Sequence, residues 1–143
     1  MKNAFLAAAV FSLVGASGAM ACEGEGHAEA APLKTVTLKQ FAQLQKAGTV
    51  KPVDANGAKT RSENGVVPGA ILLTSATQYE PTKELPAQKD TQLVFYCAGA
   101  KCNASHQAAE KAISAGYTNV AVFPDGIKAW KAAGQKTATP PNS

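Results

Sequence analysis

The residues best suited to chemistry lie in a loop that follows a short apolar run. The run Leu93–Tyr96 ends directly before Cys97, and a helix-like pattern begins near Ala104. In a strand–loop–helix unit, the backbone N–H groups of the loop and of the first helical turn converge on one point. A thiol held at that point favours its thiolate form, so we predict a lowered pKa and a nucleophilic role for Cys97.

The loop after Cys97 consists mostly of small residues, which let the backbone approach a bound anion closely. Lys101 contributes the positive charge of the loop, and two roles for it stay open, attraction of an anionic substrate and simple solvation. The predicted substrate-binding loop comprises Ala98, Gly99, Ala100, Lys101, Cys102 and Asn103.

Cys102 lies five residues after Cys97 and admits two interpretations. It can be a resolving thiol that closes a disulfide with Cys97, or a small buried residue that packs like an apolar one. His106 follows one helical turn later, but these three side chains lack a fourth ligand. We therefore predict no metal site and no cofactor.

The pattern of apolar residues predicts strands that alternate with helices. The expected strands are Thr35–Leu38, Val50–Ala55, the end of Val66–Leu73, Thr91–Tyr96 and Asn119–Phe123; the expected helices are Lys39–Ala47, a turn at Lys59–Glu63, Ala104–Ala115 and Ile127–Ala133. Pro81–Asp90 is expected to be a surface connection. This alternation predicts a single α/β domain, a parallel sheet with helices on both faces. Ligands of such sheets bind beyond the carboxyl ends of the strands, where Cys97 falls.

Composition narrows the classes of partner. The formal net charge is +4, and the basic residues are 13 scattered lysines and one arginine, Arg61. Proteins that bind nucleic acid usually carry a basic stripe with arginine or interleaved aromatic residues. We therefore expect no nucleic-acid partner and a surface with a mild attraction for small anions.

The N-terminal residues predict export. A short basic start, the apolar run Ala4–Gly15 and the small residues Ala19 and Ala21 are typical of a secretory signal peptide. Export predicts a periplasmic or extracellular location. Cleavage after Ala21 would make Cys22 the first residue, and we expect membrane attachment only if Cys22 is lipidated. The predicted segments are a signal peptide at 1–21, a flexible tether at 22–33, the folded domain at 34–135 and a mobile tail at 136–143.

Three motifs in order resemble a known family. Val53-Asp54-Ala55-Asn56 with Gly65–Ile71 resembles the D-V-R … G-H-I-P-G-A signature of rhodanese-like domains. Tyr96-Cys97 and its loop resemble the active-site segment of that family, and Asp125–Gly134 resembles its closing G-G-I-x-A-W-x-x-A-G segment. The resemblance implies a sulfurtransferase in which Cys97 carries a persulfide. It also implies a small anionic donor, thiosulfate-like or a persulfide, and an acceptor that is cyanide, a thiol or a protein.

The chain departs from the family pattern at several positions. Asn56 replaces the usual arginine, Val66 replaces the usual histidine, and the active loop is about two residues longer than usual. The related phosphatases have an arginine where Asn103 stands, which disfavours a phosphatase because an oxyanion would lose its bidentate partner. Two alternatives to sulfur transfer stay open, a thiol/disulfide redox or partner-binding module that uses Cys97 and Cys102, and an inactive scaffold.

Asp54 and Arg61 are the remaining polar residues of interest. Asp54 ends a strand before a turn, where an aspartate typically accepts backbone N–H groups. Arg61 either reaches the mouth of the site or pairs on the surface near Glu63, and the sequence leaves both open.

Overall fold

The structure of the protein is a computed structural model that describes residues 33–141 and, within them, one five-stranded sheet. The strands are β1 (Lys34–Thr35), β2 (Lys51–Asp54), β3 (Ile71–Leu72), β4 (Leu93–Tyr96) and β5 (Val120–Phe123). They lie in the order β1-β5-β4-β2-β3, and each pairing is parallel. The predicted α/β fold with a parallel sheet is confirmed.

Strand β4 is the centre of this sheet, and all four of its residues are buried. Its last residue, Tyr96, is in register with Asp54 of β2 on one side and with Phe123 of β5 on the other. Because the strands are parallel, the segments that follow β2, β4 and β5 start side by side at one edge of the sheet. The loop that starts at Cys97 therefore has a neighbouring loop on each side.

The sheet is flanked by helices α1 (Leu38–Ala47), α2 (Ala58–Asn64), α3 (Pro81–Glu84), α4 (Ala104–Ser114) and α5 (Gly126–Ala132). Side chains of β4 alternate between two buried cores, as the pleat of a strand requires. Phe95 belongs to the core that contains Ala108 of α4, whereas Tyr96 belongs to the core that contains Phe41 of α1 and Trp130 of α5. Helices on both faces were the predicted arrangement, and it is confirmed.

The first strand is shorter than predicted and ends where α1 begins. β1 stops at Thr35, and Thr37 is the N-cap of α1 rather than a strand residue. The Thr37 hydroxyl accepts the backbone N–H of Gln40, and the Gln40 side chain accepts the backbone N–H of Thr37. This reciprocal capping box satisfies two N–H groups at the start of the helix, so the predicted strand over Thr35–Leu38 is wrong beyond Thr35.

The predicted surface connection Pro81–Asp90 contains a short helix, α3, at its start. Glu84 holds this turn to the end of β3, because its carboxylate accepts the Thr74 backbone N–H at 2.9 Å and the Thr74 hydroxyl at 2.8 Å. Leu85, which directly follows α3, is buried. A helix of four residues has too little periodicity to be read from sequence.

The segment predicted as a mobile tail carries contacts that a mobile segment would lack. The backbones of Ala138 and Val66 exchange two hydrogen bonds of 2.9 and 2.8 Å, and the Trp130 indole N–H donates to the Lys136 carbonyl at 2.8 Å. Pro140 is buried. We therefore expect the folded domain to extend to about residue 140, beyond the predicted boundary at 135.

Several predictions concern residues outside the described range. The signal peptide at 1–21, most of the tether at 22–33 and the lipidation of Cys22 belong to this group and stay predictions. Among the helices formed by residues 33–141, none has the length and apolar character needed to cross a membrane.

Candidate active site

The thiol-bearing loop is held in place by the first turn of α5. The backbone N–H of Ile127 donates to the Cys97 carbonyl at 2.8 Å, and that of Lys128 donates to the Ala98 carbonyl at 3.2 Å. Within the loop, the Cys102 N–H donates to the Gly99 carbonyl at 2.8 Å and closes a turn. The loop after β4 and the helix after β5 therefore form one hydrogen-bonded unit.

Gly126 is the residue that lets α5 approach so closely. Its φ is +68°, and a Cβ placed on it would lie 2.5 Å from the Cys97 carbonyl oxygen and 2.5 Å from the Gly99 nitrogen. A side chain at this position would meet backbone atoms, which move less readily than a flexible side chain. Only glycine fits both the left-handed conformation and the contact.

Cys97 lies beneath the loop, with none of its surface exposed. Its thiol donates to the Cys102 carbonyl oxygen, with a sulfur–oxygen distance of 3.1 Å, and the Ser105 hydroxyl lies 3.3 Å from the same sulfur. Burial raises the pKa of Cys97, and the bond to Cys102 adds to this effect, although Ser105 acts in the opposite direction. The lowered pKa predicted for Cys97 is therefore wrong in direction.

Cys102 has the opposite environment and is only partly buried. Burial alone would raise the pKa of its thiol, but hydrogen bonds from Cys97 and from the backbone N–H groups of Ala98 and Ala104 outweigh that effect and lower it. Backbone N–H groups that converge on one sulfur are the arrangement predicted for this loop. The structure directs them to Cys102 as well as to Cys97.

An open hollow lies beside the loop, and the partly buried Cys102 is among the residues that line it. Its volume is about 350 Å³, and it is lined by Ala98, Gly99, Ala100, Lys101, Cys102 and Lys128. The two lysines make the hollow positively charged, which favours a small anion over a neutral ligand. Five of the six predicted loop residues line this hollow, whereas Cys97 and Asn103 do not.

Comparison with known proteins assigns the fold to a family. The family model of the rhodanese-like domain matches residues 37–133. The chain belongs to the rhodanese-like domain family. A comparison with curated proteins finds no match.

Solved structures with this fold include the human single-domain sulfurtransferase, which is 27% identical at a TM-score of 0.55 and is matched over 68% of this chain and 95% of its own. The rhodanese-like domain from Anabaena sp. is 21% identical at a TM-score of 0.61, over 74% of this chain and 79% of its own. The thiosulfate sulfurtransferase from Pseudomonas aeruginosa is 22% identical at a TM-score of 0.61, over 74% of this chain and 20% of its own.

In this rhodanese-like domain, Arg61 does not belong to the hollow. Its Nε lies 3.2 Å from Asp54 Oδ1, and its Nη2 donates to the carbonyls of Asp54 and Leu73 at 3.0 and 2.8 Å. Asp54 also accepts the Asn56 backbone N–H at 2.7 Å, which is the turn role predicted for it. Arg61 therefore braces the ends of β2 and β3, and the pairing near Glu63 left open by the sequence is not formed.

Asn103 occupies the N-cap position of α4, but its side chain makes no capping hydrogen bond. Within residues 33–141, no three His, Cys, Asp or Glu side chains are grouped closely enough to hold a metal ion. Cys97, Cys102 and His106 thus do not form the three-ligand set considered from the sequence.

Sequence reasoning missed two contributors to the site, Ser105 and Lys128. Ser105 is fully buried in the first turn of α4, directly beside the Cys97 sulfur. Lys128 lies 31 residues from Cys97, in α5. A signal for Lys128 was available, because the strands that precede these two segments, β4 and β5, were both predicted and are adjacent in most simple parallel orders.

Proposed function

We propose that this rhodanese-like protein is a sulfurtransferase that takes a sulfane sulfur from a small anionic donor and passes it to a thiol or to cyanide. The observation that carries this proposal is the loop that begins at the Cys97 thiol and lines a hollow bearing Lys101 and Lys128. The family assignment supports it, as does the likeness to a human protein described as a single-domain sulfurtransferase.

The site has the parts that sulfur transfer needs. A loop thiolate attacks the outer sulfur of a donor such as thiosulfate, the sulfur–sulfur bond of the donor breaks, and sulfite leaves with the bonding electrons. The lysines favour the approach of the doubly charged donor. Backbone N–H groups then stabilise the negative persulfide that remains on the loop. The resemblance to the family assigns this persulfide to Cys97, the thiol that directly follows β4.

The test is formation of thiocyanate from thiosulfate and cyanide by the reduced protein. We expect turnover by the wild type and none above background by a variant in which Cys97 and Cys102 are both replaced by serine. A matched control is Lys51→Gln, because Lys51 is exposed at the opposite, amino end of β2. Wild-type activity no greater than that of the double variant, with several sulfane donors, would contradict the proposal.

A thiol/disulfide module remains the second candidate, and the hydrogen bond between the side chains of Cys97 and Cys102 favours it. Mass spectrometry of protein isolated under alkylating conditions separates the two functions. A gain of one sulfur atom supports sulfur transfer, and a loss of two hydrogen atoms across the two cysteines supports the redox module.

We also propose that the protein acts outside the cytoplasm. The signal-like residues 1–21 support this location. The test is the N-terminus of the protein recovered from a periplasmic or culture fraction. We expect it to begin at Cys22, and recovery of the uncleaved chain from the cytoplasmic fraction alone would contradict the proposal.

A further inference from the structure

A groove lies between α1 and α5, on the side of the sheet opposite α4. Its volume is about 880 Å³, and its apolar part is formed by Leu38, Ala42, Pro68 and Trp130. Leu38 and Ala42 pack against the core cluster that contains Trp130, but both are only half-buried. The groove is therefore an apolar surface continuous with the core, and residues 33–141 leave it open.

The rim of this groove is positively charged. Lys39 and Lys46 of α1 and Lys136, which follows α5, line the groove and are exposed, and none of the lining residues is acidic. We call these three residues the rim lysines. The ion pairs formed within residues 33–141 involve none of them. The groove therefore suits an occupant that combines apolar contact with negative charge.

We infer that the groove binds residues 22–32 of this chain, the segment that directly precedes the described residues. This segment contains Glu23, Glu25 and Glu29, no lysine or arginine, and small apolar residues at its end. The other seven acidic residues and 13 of the 14 basic residues lie within 33–143. A segment with a net charge of −3 is thus joined to a domain with a net charge of +6.

The segment is long enough to reach the whole groove. Leu33, where it joins the domain, packs on the α4 side of the sheet, so the segment must pass around β1 to reach α1. That path follows the edge of the sheet, because β1 is an edge strand. Eleven extended residues span up to about 36 Å, at about 3.3 Å per residue. The ten residues of α1 span about 15 Å.

Binding in the groove leaves the thiol loop uncovered. The groove and the hollow beside the loop share no lining residue. The contact therefore fixes how the N-terminal residues leave the domain without blocking the hollow. Binding of the segment is thus independent of the proposed sulfurtransferase activity.

Cross-linking with a carbodiimide tests this contact. The reagent joins a carboxylate directly to a lysine amine that touches it, without a spacer, so each link records a contact. The protein is used as it is recovered, with residues 22–32 present, and is treated at low ionic strength, digested with trypsin and analysed by mass spectrometry. We expect the three glutamates of the segment to be linked to the rim lysines, with a lower yield at high salt.

The lysines that are linked decide the outcome. Links to Lys101 or Lys128 instead of the rim lysines would overturn the inference, because the segment would then cover the hollow. Links to Lys51 and Lys83 as frequent as those to the rim would indicate random contacts and overturn it as well, as would the absence of links. Lys34 is left out of this comparison because it follows the segment almost directly.

A mixture of ¹⁵N-labelled and unlabelled protein distinguishes one chain from two. We expect the linked peptides to be both labelled or both unlabelled, because the segment and the groove belong to the same chain. Links between a labelled and an unlabelled peptide would overturn the inference and assign the groove to the segment of a second copy. These measurements are made on the wild type, so they do not depend on the folding of a variant.

A pair of charge-matched variants gives a second readout, the rate at which the rim lysines are acetylated. Replacing the three glutamates of the segment by glutamine should raise this rate on the order of threefold, since exposed ion pairs are individually weak. The control combines Glu63→Gln, Asp90→Asn and Glu110→Gln, which removes three exposed carboxylates of the domain. We expect the control to acetylate at the wild-type rate. An equal rise in both variants, or no rise in either, would overturn the inference.

Discussion

The ends of β2 and β4 lie side by side at one edge of the sheet but are built for different purposes. β2 ends at Asp54, a fully buried carboxylate that is joined to Arg61 and to the Asn56 backbone. β4 ends before Cys97, where the loop that follows lines a charged hollow. The position of a residue at the carboxyl end of a strand therefore does not reveal whether it does chemistry. Whether its polar atoms are bonded within the protein or left available to a ligand decides this.

The comparison also explains which cations are available to an anion. Arg61 is the single arginine of the chain, and its guanidinium is already bonded to one carboxylate and two carbonyls. It has become part of the framework. The positive charge at the hollow comes from Lys101 and Lys128, which attract an anion without the fixed fork that arginine offers to a phosphate. This arrangement suits a donor that must enter and leave.

Removal of the Arg61 side chain should produce the largest loss of stability, because Arg61 braces the ends of β2 and β3. Arg61→Ala leaves the Asp54 carboxylate buried without its partner, which should cost about 3–5 kcal/mol of the free energy of unfolding. Urea denaturation measures this cost. As a control, Lys83→Gln removes an exposed ion pair with Glu80 and should change the stability by less than about 1 kcal/mol. Equal stability of the two variants would show that the Asp54–Arg61 pair is not a brace.

Substitution of Gly126 should damage the thiol loop more than the framework. In Gly126→Ala, the new Cβ would meet the Cys97 carbonyl and the Gly99 nitrogen, so the loop must shift. A displacement of this size should lower sulfurtransferase turnover by about a hundredfold.

Gly48→Ala is the matched control for Gly126→Ala. Gly48 has the same φ of +68°, but a Cβ there would meet nothing within 4 Å. This variant should lose about 1 kcal/mol of stability through backbone strain alone and keep its turnover. Similar turnover in the two variants would show that the contact of α5 with the loop does not position the site.

Tyr96→Phe tests a link between the two regions. The Tyr96 hydroxyl accepts the Val67 backbone N–H at 3.0 Å, in a buried position between the end of β4 and the segment before β3. Without the hydroxyl this N–H is buried and unpaired, which should cost about 2 kcal/mol of stability. Thermal and urea denaturation measure the loss, and a change below about 0.5 kcal/mol would mean that another group replaces the acceptor.

Neutralisation of the hollow should produce the smallest effect. Replacing Lys101 and Lys128 together by glutamine should raise KM for thiosulfate by about tenfold at low ionic strength, with less difference at high salt. Lys51→Gln is the control, because it changes the net charge at the other end of the sheet. An equal rise of KM in Lys51→Gln would attribute the effect to net charge rather than to the hollow.

Much of this arrangement was predictable from sequence. The apolar run of β4, the small-residue loop and the alanine-rich α4 identified the strand–loop–helix unit, and their alternation with the other elements predicted the parallel sheet. The face of the sheet on which Cys97 lies was also predictable from the alternation of residues along the strand. Leu93, Phe95 and Cys97 have alternate positions along the chain, and all three lie in the same buried core.

Other features depend on contacts between distant segments, which a local pattern does not contain. The pairing of Arg61 with Asp54 requires that α2 fold back over the end of β2, and the contribution of Lys128 requires that α5 reach the loop after β4. The backbone bridge between Val66 and Ala138 joins residues 72 positions apart. The balance between burial and hydrogen bonding at the two thiols follows from these contacts, so the pKa direction of Cys97 was mispredicted.

The hydrogen bonds from α5 to the thiol loop form late during synthesis, because the chain is made from the N-terminus onwards. The carbonyls of Cys97 and Ala98 accept hydrogen bonds from the backbone N–H groups of residues 127 and 128, which are synthesised about 30 positions later. Until then the loop lacks these two hydrogen bonds, so it covers Cys97 less firmly and leaves the thiols more open to oxidants. A ribosome-bound chain that ends before Gly126 should therefore form the Cys97–Cys102 disulfide, or mixed disulfides, more readily than the released protein.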